Sequence, residues 1–374
     1  MGCKIKIFVL LLTVVLFASS FGFRSAPVKA VASPRTIIVP DDFPTIQGAI
    51  DNASAGDTVY VRSGIYNITK GGYFTGSLHG FVSLSIGKSI SFIGENCQST
   101  VITAFQDYPN PFGCAIIVRT NNVTISGFTI ISNKNVIGLG PNNTLTNNII
   151  ELNSTDNGFV AVSAADSDTI SSNIIEGGGH GNSLFSGTSG ILTDNNMTIS
   201  NNIIRDFETG ISLTNYSFNQ QICKNTFVNN ALGLSLLTAQ NLFYDNNIEN
   251  CSEYSLYLDT PGAVNATYNY WGTTNQTAIE HSIYGNKNDS SLGTVIFTPY
   301  LTKPNAQAVP FPTPSPTTAN FQLTVILPLI IFFAVAVAVV LVLRNGKISQ
   351  KLRHKTTTFR SMRAKKEDED SANF

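Results

Sequence analysis

A seven-residue motif that recurs at irregular intervals is the feature that most restricts the fold of this 374-residue chain. Its clearest copy, Thr198–Ile204, reads Thr-Ile-Ser-Asn-Asn-Ile-Ile, and successive copies start 20, 25, 29, 23, 21 and 24 residues apart. A spread that wide excludes a strict solenoid such as the leucine-rich repeat and favours coils with fixed strands and variable turns. The copies are Thr124–Ile130, Thr144–Ile150, Thr169–Ile175, Thr198–Ile204, Gln221–Phe227, Leu242–Ile248 and Ala266–Gly272.

Within each copy the residues alternate as in a β-strand, with Ile199 facing inward and Ser200 outward before a bend at the Asn-Asn pair. A second strand follows in most copies, for example at Gly210–Leu213. Each coil is therefore predicted to hold two or three short parallel strands around an apolar column, which is an all-β architecture. An Asn recurs at the bend of five successive coils, where stacked amides can hydrogen-bond to one another. These residues are Asn148, Asn173, Asn202, Asn225 and Asn246.

This pattern resembles the right-handed parallel β-helix, the pectate-lyase-like superfold, over roughly Thr36–Pro299. The stretch Thr36–Val61 is similar to the N-terminal cap of that family, and Pro44–Ala53 has the apolar spacing of a short helix that could cover the open end. Asn269-Tyr-Trp-Gly resembles the closing motif of the NosD-like branch, named for periplasmic copper-binding proteins. The resemblance implies a single-stranded right-handed parallel β-helix with an N-terminal capping helix. That superfold hosts lyases, hydrolases, epimerases and non-catalytic surface proteins.

Apolar runs at the two ends of the chain are typical of export and membrane anchoring. Residues 1–30 are predicted to be a signal peptide because Lys4 and Lys6 precede an apolar run, and an uncleaved anchor is the alternative. Residues 321–343 carry no charge and are long enough to cross a bilayer as one helix. The basic residues of the tail, 344–374, orient it to the cytoplasm. The predicted location is the cell membrane, single-pass, with the N-terminal ectodomain outside.

Between the signal and the span, the sequence predicts an N-terminal cap at 31–60, a β-helix ectodomain at 61–302 and a Pro/Thr-rich stalk at 303–320. Residues 31–320 contain 10 Lys and Arg against 20 Asp and Glu, a balance that speaks against a nucleic-acid partner. Eleven N-x-S/T sequons agree with an exported glycoprotein. Cys97 and Cys114 bracket a loop and could form a disulfide in an oxidising exterior.

One candidate site is the outward column formed by the residue after each Ile-Ile pair, which includes Glu151, Glu176 and Arg205. Neighbours in such a column lie about 4.8 Å apart. Two carboxylates beside an Arg could bind Ca²⁺ and a uronate sugar, with Arg205 as a base or a charge clamp. The alternative is a solvated ladder in which Arg205 neutralises Glu176.

A second candidate site lies at a turn that carries Asp166 and Asp168, with Asp194 in the next coil. His180, within a Gly-His-Gly sequence, resembles a short motif of polygalacturonase-type glycosidases, and two carboxylates with a His could serve acid–base hydrolysis. The other motifs of that family are missing, so a Gly-rich surface loop with an incidental His is the alternative. The ectodomain has no His/Met cluster of the kind that copper sites use, so no metal site is predicted, although Ca²⁺ is a candidate ligand of the column.

Aromatic residues concentrate in the last coils, where they could stack on sugar rings or cap the C-terminal end of the helix. They are Tyr244, Tyr254, Tyr257, Tyr268, Tyr270 and Trp271.

These features give three functional hypotheses. The first is a membrane-anchored cell-surface β-helix that binds glycans or packs in an envelope layer without catalysis. The second is a membrane-tethered polysaccharide lyase or glycosidase that uses the Glu151–Arg205 column or the His180 turn. The third, implied by the NosD-like resemblance, is an accessory role in copper maturation. A cell-surface or environmental polysaccharide is the predicted partner in the first two.

Overall fold

The computed structural model describes residues 33–68, 72–74, 80–105, 113–154, 158–178 and 187–310, all within one compact unit. The predicted signal peptide 1–30, the later stalk residues 311–320, the predicted span 321–343 and the tail 344–374 lie outside these ranges. No helix among the described residues is long and apolar enough to cross a membrane.

Three sheets, here called A, B and C, follow one another in each coil, and consecutive strands within a sheet are parallel, apart from one antiparallel pair at the start of sheet C. Sheet A comprises Thr36–Val39, Thr58–Val61, Ser91–Gly94, Thr124–Ser126, Thr144–Thr146, Thr169–Ser171, Thr198–Ser200, Gln221–Cys223, Leu242–Tyr244, Val264–Asn265 and Val295–Ile296. Sheet B comprises Gly64–Asn67, Thr100–Ala104, Thr129–Ser132, Ile149–Leu152, Ile174–Gly177, Ile203–Arg205, Thr226–Val228 and Asn247–Glu249. Sheet C comprises Gly72–Phe74, Gly80–Ile86, Cys114–Val118, Asn135–Gly138, Val160–Ser163, Ser189–Thr193, Thr209–Leu213, Leu232–Leu236, Tyr254–Leu258 and Ile283–Tyr284.

Each strand pairs with the strand one coil further along the chain, so the predicted repeat is one turn of a coil. Thr169 pairs with Thr198 and Ile170 with Ile199, in the register that the motif predicts. Parallel strands joined by crossovers of this kind are right-handed almost without exception. The described chain is therefore an all-β, right-handed parallel β-helix, as predicted.

The sharp corner between sheets A and B depends on one residue with left-handed backbone immediately before each ladder Asn. In five successive coils this residue has φ between 56° and 59°. Asn and Asp tolerate that conformation better than most residues because their short polar side chains bond locally. The five are Asn147, Ser172, Asn201, Lys224 and Asp245.

The Asn side chains after these corner residues form a continuous buried ladder. Asn173 Nδ2 donates to Asn202 Oδ1 at 3.0 Å, and Asn202 Nδ2 donates to Asn225 Oδ1 at 3.0 Å. The same bond joins each of the five predicted ladder residues to the next, and it continues from Asn246 to Asn269 at 3.0 Å. Each Oδ1 also accepts the backbone N–H of the ladder residue one coil earlier, as from Asn173 to Asn202 at 2.9 Å. The ladder thereby satisfies backbone groups that a tight buried bend would otherwise leave unpaired.

Both ends of the apolar column are covered. At the N-terminal end, helix α1 (Ile46–Asn52) begins after the N-cap Thr45 and buries Ile46, Ala49 and Ile50. At the C-terminal end, Trp271 packs edge-on against Phe243 with ring centroids 6.4 Å apart. Helix α2 (Gln276–His281) follows and buries Ile279.

Residues 303–310, the first part of the predicted stalk, lie along the outside of the coils. Asn305 N donates to Asn247 Oδ1 at 2.7 Å, and Asn247 Nδ2 donates back to Asn305 O at 3.1 Å. Two coils earlier, Asn201 Nδ2 donates to Gln307 O at 2.6 Å. Ala308 is fully buried by this contact.

Cys97 and Cys114 are not joined by the disulfide that the sequence suggested. Cys114 lies in sheet C, where its buried Sγ donates to Ile116 O at 3.0 Å. Cys97 lies in the turn before a sheet B strand instead. The spacing of the two cysteines in the sequence does not indicate at which position of the coil each one lies.

Candidate functional site

The first candidate column lies on the outer face of sheet B. Glu151 pairs with Glu176, and Glu176 pairs with Arg205, in consecutive strands. Arg205 Nη2 lies 2.8 Å from Glu176 Oε2, with side chains 41% and 34% exposed respectively. This is the arrangement of the solvated-ladder alternative, because the guanidinium is already bonded to the neighbouring carboxylate.

Glu151 is the least neutralised member of this column. Burial and the negative charge of Glu176 raise its pKa, and the more distant Arg205 partly offsets them. A carboxyl group that retains its proton to higher pH can act as a general acid. The column therefore provides a candidate acid in Glu151, whereas Arg205 has its charge compensated.

The Asp cluster lies elsewhere, at the corner between sheets C and A. Asp168 is fully buried; its Oδ1 accepts the N–H of Asn143 at 2.7 Å and its Oδ2 accepts the N–H of Ala165 at 2.8 Å. Burial raises the pKa of Asp168 to about 7. Asp168 therefore occupies the same corner position as Asn143 in the preceding coil. There, Asn143 Oδ1 accepts the backbone N–H of Val123 at 2.8 Å. This carboxyl group caps backbone groups rather than facing a ligand.

The other two members of the cluster are closer to solvent. Asp166 Oδ1 accepts the backbone N–H of Asn195 at 3.0 Å. The pKa of Asp194 is raised by burial and by the charge of Asp166 beside it. His180, which the sequence grouped with these residues, lies outside the described residues. Since sheet B is opposite the C–A corner in each coil, the Glu151 column and the Asp cluster do not share one site.

Within the described ranges, no group of three or more His, Cys, Asp or Glu side chains could hold a metal ion.

Sequence reasoning missed the outer face of sheet A. Its outward positions form two rows, and in four successive coils every one of them is a half-buried hydroxyl side chain. No outward position of its strands from Ser91 to Tyr244 carries a charge. The repeated Thr-x-Ser/Thr was visible in the motif, but only the register shows that it forms one surface. The eight hydroxyl residues are Thr124, Ser126, Thr144, Thr146, Thr169, Ser171, Thr198 and Ser200.

The same face collects exposed apolar side chains. Of the eight large hydrophobic residues that are exposed in the described chain, six lie on sheet A or at its two corners. They are Tyr216, Phe218, Leu242, Tyr244, Tyr268 and Ile296. Among the aromatic residues singled out in the sequence, Trp271 is buried at the end of the core, and Tyr257 stacks on Tyr284 on sheet C at 4.6 Å between centroids. Tyr244 and Tyr268 are the ones that face solvent on sheet A.

Two cavities adjoin each other near the last coils and share Asp245. The first, about 260 Å³, is lined by Leu242, Phe243, Tyr244, Asp245, Asn265, Thr267 and Tyr268. The second, about 510 Å³, is lined by Asp245 and residues 301–307.

Three parallel sheets with an Asn ladder at one corner define a right-handed parallel β-helix of the pectate-lyase-like superfold. No protein-family model matches the chain, and no curated protein is similar to it in sequence. The resemblance to the NosD-like branch therefore stays a prediction.

Solved structures that resemble the chain do so distantly. One is a PL6 alginate lyase in complex with a trisaccharide (12% identity, TM-score 0.43, 65% of this chain and 56% of that one). Another is a mannuronic-acid-specific polysaccharide family 6 lyase from human gut microbiota (15% identity, TM-score 0.38, 64% and 59%). A third is ORF18 of Geobacillus virus E2 (12% identity, TM-score 0.34, 63% and 56%). The chain thus spans less than two thirds of the length of each.

Proposed function

We propose that this protein is a single-span cell-surface protein whose β-helix binds polysaccharide without cleaving it. The proposed topology follows from the sequence, with a signal at 1–30, a span at 321–343 and a basic cytoplasmic tail at 344–374. The β-helix is then the part of the chain outside the cell.

The observation that carries the proposal is the gathering of six exposed large apolar side chains on sheet A and at its two corners, beside the rows of hydroxyl side chains on the same sheet. Aromatic rings that are apolar on their faces and polar at their tips suit sugar rings, which present C–H groups on one side and hydroxyl groups at the rim. Rows of Thr and Ser can both donate and accept hydrogen bonds with those hydroxyl groups. A flat sheet face also accommodates an extended polymer better than a small molecule.

The bonds that the candidate acid and base groups already make support a protein that does not cleave polysaccharide. Asp168 binds two backbone N–H groups, and Arg205 is paired with Glu176. Glycosidases and lyases need an acid and a base on either side of the bond that is cleaved. Asp168 lies at a different corner of the coil from the Glu151 column, and within that column Arg205 is already paired with Glu176.

A second candidate function, a polysaccharide lyase or glycosidase, is favoured by one observation. Glu151, with its raised pKa, stands in register with Glu176 and Arg205 on the open face of sheet B. A uronate polymer would be the substrate class that suits this column, because Arg205 could bind its carboxylate.

The test is to incubate the full-length protein, held in detergent micelles, with neutral and uronate polysaccharides, each with Ca²⁺ and with chelator. Retention of the protein on polysaccharide and the appearance of new chain ends are measured together. We expect retention without new ends. New ends that disappear in Glu151→Gln or Arg205→Ala would overturn the binding proposal in favour of catalysis on sheet B. If the protein is not retained and no new chain ends appear, both the binding proposal and the catalytic alternative are contradicted, and the envelope-layer hypothesis remains.

A further inference from the structure

The 260 Å³ cavity at the C-terminal end of sheet A combines the elements of a sugar subsite. Tyr244 and Tyr268 are 36% and 54% exposed beside it, and Leu242 adds an aliphatic wall. Its polar lining is Asp245, Asn265 and Thr267. The lining thus combines aromatic and aliphatic side chains with polar ones, the two components that ligand pockets use.

Tyr268 is held at the edge of this cavity by an unusual backbone. Its φ is 60°, in the left-handed region that bulky side chains avoid. The equivalent corners of the five preceding coils carry Asn, Ser, Lys or Asp. Backbone bonds fix the corner, since Tyr268 N donates to Pro299 O at 2.6 Å and Tyr268 O accepts the N–H of Asp245 at 2.9 Å. An aromatic ring therefore stands exposed where a small polar residue would serve the fold better, which points to a role for the ring itself.

Polar groups next to the two rings are positioned for sugar hydroxyl groups. Asn265 Oδ1 accepts from Thr267 N at 3.1 Å and from Thr267 Oγ1 at 2.9 Å. These bonds hold the amide by its oxygen and orient its NH₂ group as a donor. Asp245 also lines the cavity, and its carboxylate can supply acceptors.

The charge of the site selects between neutral and acidic polymers. The first cavity has one carboxylate, Asp245, and no basic residue in its lining. The adjoining cavity adds Lys303, so the two together carry no formal net charge. The outward neighbours on the preceding strand of sheet A, Gln221 and Cys223, are also uncharged. A uronate unit in the first cavity would meet the carboxylate of Asp245, whereas the basic side chain, Lys303, belongs to the lining of the adjoining cavity.

We propose that this cavity binds one sugar unit of an uncharged polysaccharide, stacked between Tyr244 and Tyr268, with the chain continuing over the hydroxyl rows of sheet A. The inference rests on the proposed function and names its substrate class and its subsite. It assigns neutral polymers to sheet A and leaves the charged column of sheet B uninvolved.

The test uses the full-length protein in detergent micelles, produced in a host without N-glycosylation because Asn265 begins a sequon. The probes are soluble β-glucan, mannan and xylan as neutral polymers, and alginate and polygalacturonate as acidic ones. Affinity electrophoresis measures the dissociation constant for each. The key variant is Tyr268→Asn, which removes the ring and places a residue suited to left-handed backbone at the corner. Its thermal midpoint should equal or exceed that of the wild type, so a loss of binding cannot be ascribed to unfolding.

We expect the wild type to bind at least one neutral polymer and to bind the acidic ones more weakly. Tyr268→Asn and Tyr244→Ala should each weaken binding by about tenfold or more, the effect of losing one stacked ring and its contacts. The matched control is Phe105→Asn, which removes an aromatic side chain that is 51% exposed just after a sheet B strand, and it should change binding by less than about twofold.

Three results would contradict the subsite. Binding of a neutral polymer that survives both Tyr244→Ala and Tyr268→Asn overturns the subsite while the proposed function stands. Preferential binding of the acidic polymers, lost in Arg205→Ala, overturns the assignment to sheet A. Failure of the wild type to bind any of the five polymers overturns the proposed function itself.

Discussion

Arg205 Nη2 lies 2.8 Å from Glu176 Oε2 on the next coil, and Glu151 stands one coil beyond Glu176 on the same face. The guanidinium of Arg205 pairs with Glu176 and, at 3.8 Å through Nε, with Asp206, whereas Glu151 lies further away. Glu176 is neutralised by contact, whereas Glu151 has a raised pKa because of burial and of Glu176. This asymmetry has measurable consequences.

Arg205→Ala should raise the pKa of Glu151 further, because Arg205 is the one group that lowers it. The effect on stability should be small, at most about 1 kcal/mol, since both partners of the ion pair are partly exposed. The pKa can be followed by the NMR pH titration of the Glu151 side-chain carboxyl carbon. Arg62→Ala, which removes the exposed pair with Asp41, is the matched control and should leave Glu151 unchanged. An unaltered Glu151 titration in Arg205→Ala would show that the two charges do not interact.

Asp168 should make the protein less stable as the pH rises from about 4 to about 7. Burial raises its pKa from 3.8 to about 7, so the folded state binds a proton that the unfolded state releases at lower pH. The stability that the protonated group contributes is complete below pH 3.8 and is lost progressively up to about pH 7, by up to about 4 kcal/mol.

Asp168→Asn should remove that pH dependence and raise the thermal midpoint at pH 8, because Asn143 already serves the same corner one coil earlier. Thermal unfolding from pH 4 to pH 8 checks this, with Asp289→Asn as an exposed control. Identical pH profiles for the wild type and Asp168→Asn would contradict the burial of an ionisable group at this corner.

Asn202→Ala should interrupt the ladder at its centre and destabilise the protein by about 3 kcal/mol or more. The Asn202 Oδ1 atom accepts from the backbone N–H and the side chain of Asn173, and its Nδ2 donates to Ile170 O and Ser200 O. These partners would remain buried and unpaired. Chemical denaturation measures the loss, with Asn286→Ala as the control because that side chain is exposed and should change stability by less than about 0.5 kcal/mol.

Asn247→Ala should detach residues 303–310 from the coils while the β-helix itself stays folded. Its side chain makes two hydrogen bonds to the backbone of Asn305, and Ala308 is buried behind that contact. Limited proteolysis should then cleave near 303–310 faster than in the wild type, while the main thermal transition moves by only a few degrees. A cleavage rate equal to that of the wild type would show that other contacts, such as Asn201 with Gln307, suffice to hold the segment.

The fold was predictable because the repeat carries its own strand register. The motif at Thr198–Ile204 comprises a strand, a left-handed corner residue, a ladder Asn and the start of a second strand. The copies between Thr144 and Ile248 have the same order. The extension of the ladder to Asn269 was missed because the last copy was placed at Ala266–Gly272, whereas Leu242 pairs with Asn265, one residue earlier.

The candidate sites were less predictable for a physical reason. Asp168 looks from the sequence like a surface carboxylate near Asp166, but its corner position points it inward, where backbone N–H groups bind it. The Thr and Ser rows look like ordinary strand residues until the coils are stacked. Exposure of Tyr268 depends on a backbone conformation that no pattern of residue types indicates.

By itself, the sequence determined the coil architecture, the Asn ladder and the chemistry of the column from Glu151 to Arg205, because residues that recur once per coil are brought into register by strand pairing alone. Only the tertiary structure decided which carboxylates are buried, whether Cys97 and Cys114 pair, and where aromatic rings gather beside a cavity. Those outcomes depend on the direction in which each corner turns a side chain and on contacts between segments as distant as Asn247 and Asn305. The periodicity of the sequence indicates neither the direction of a side chain at a corner nor a contact between distant segments.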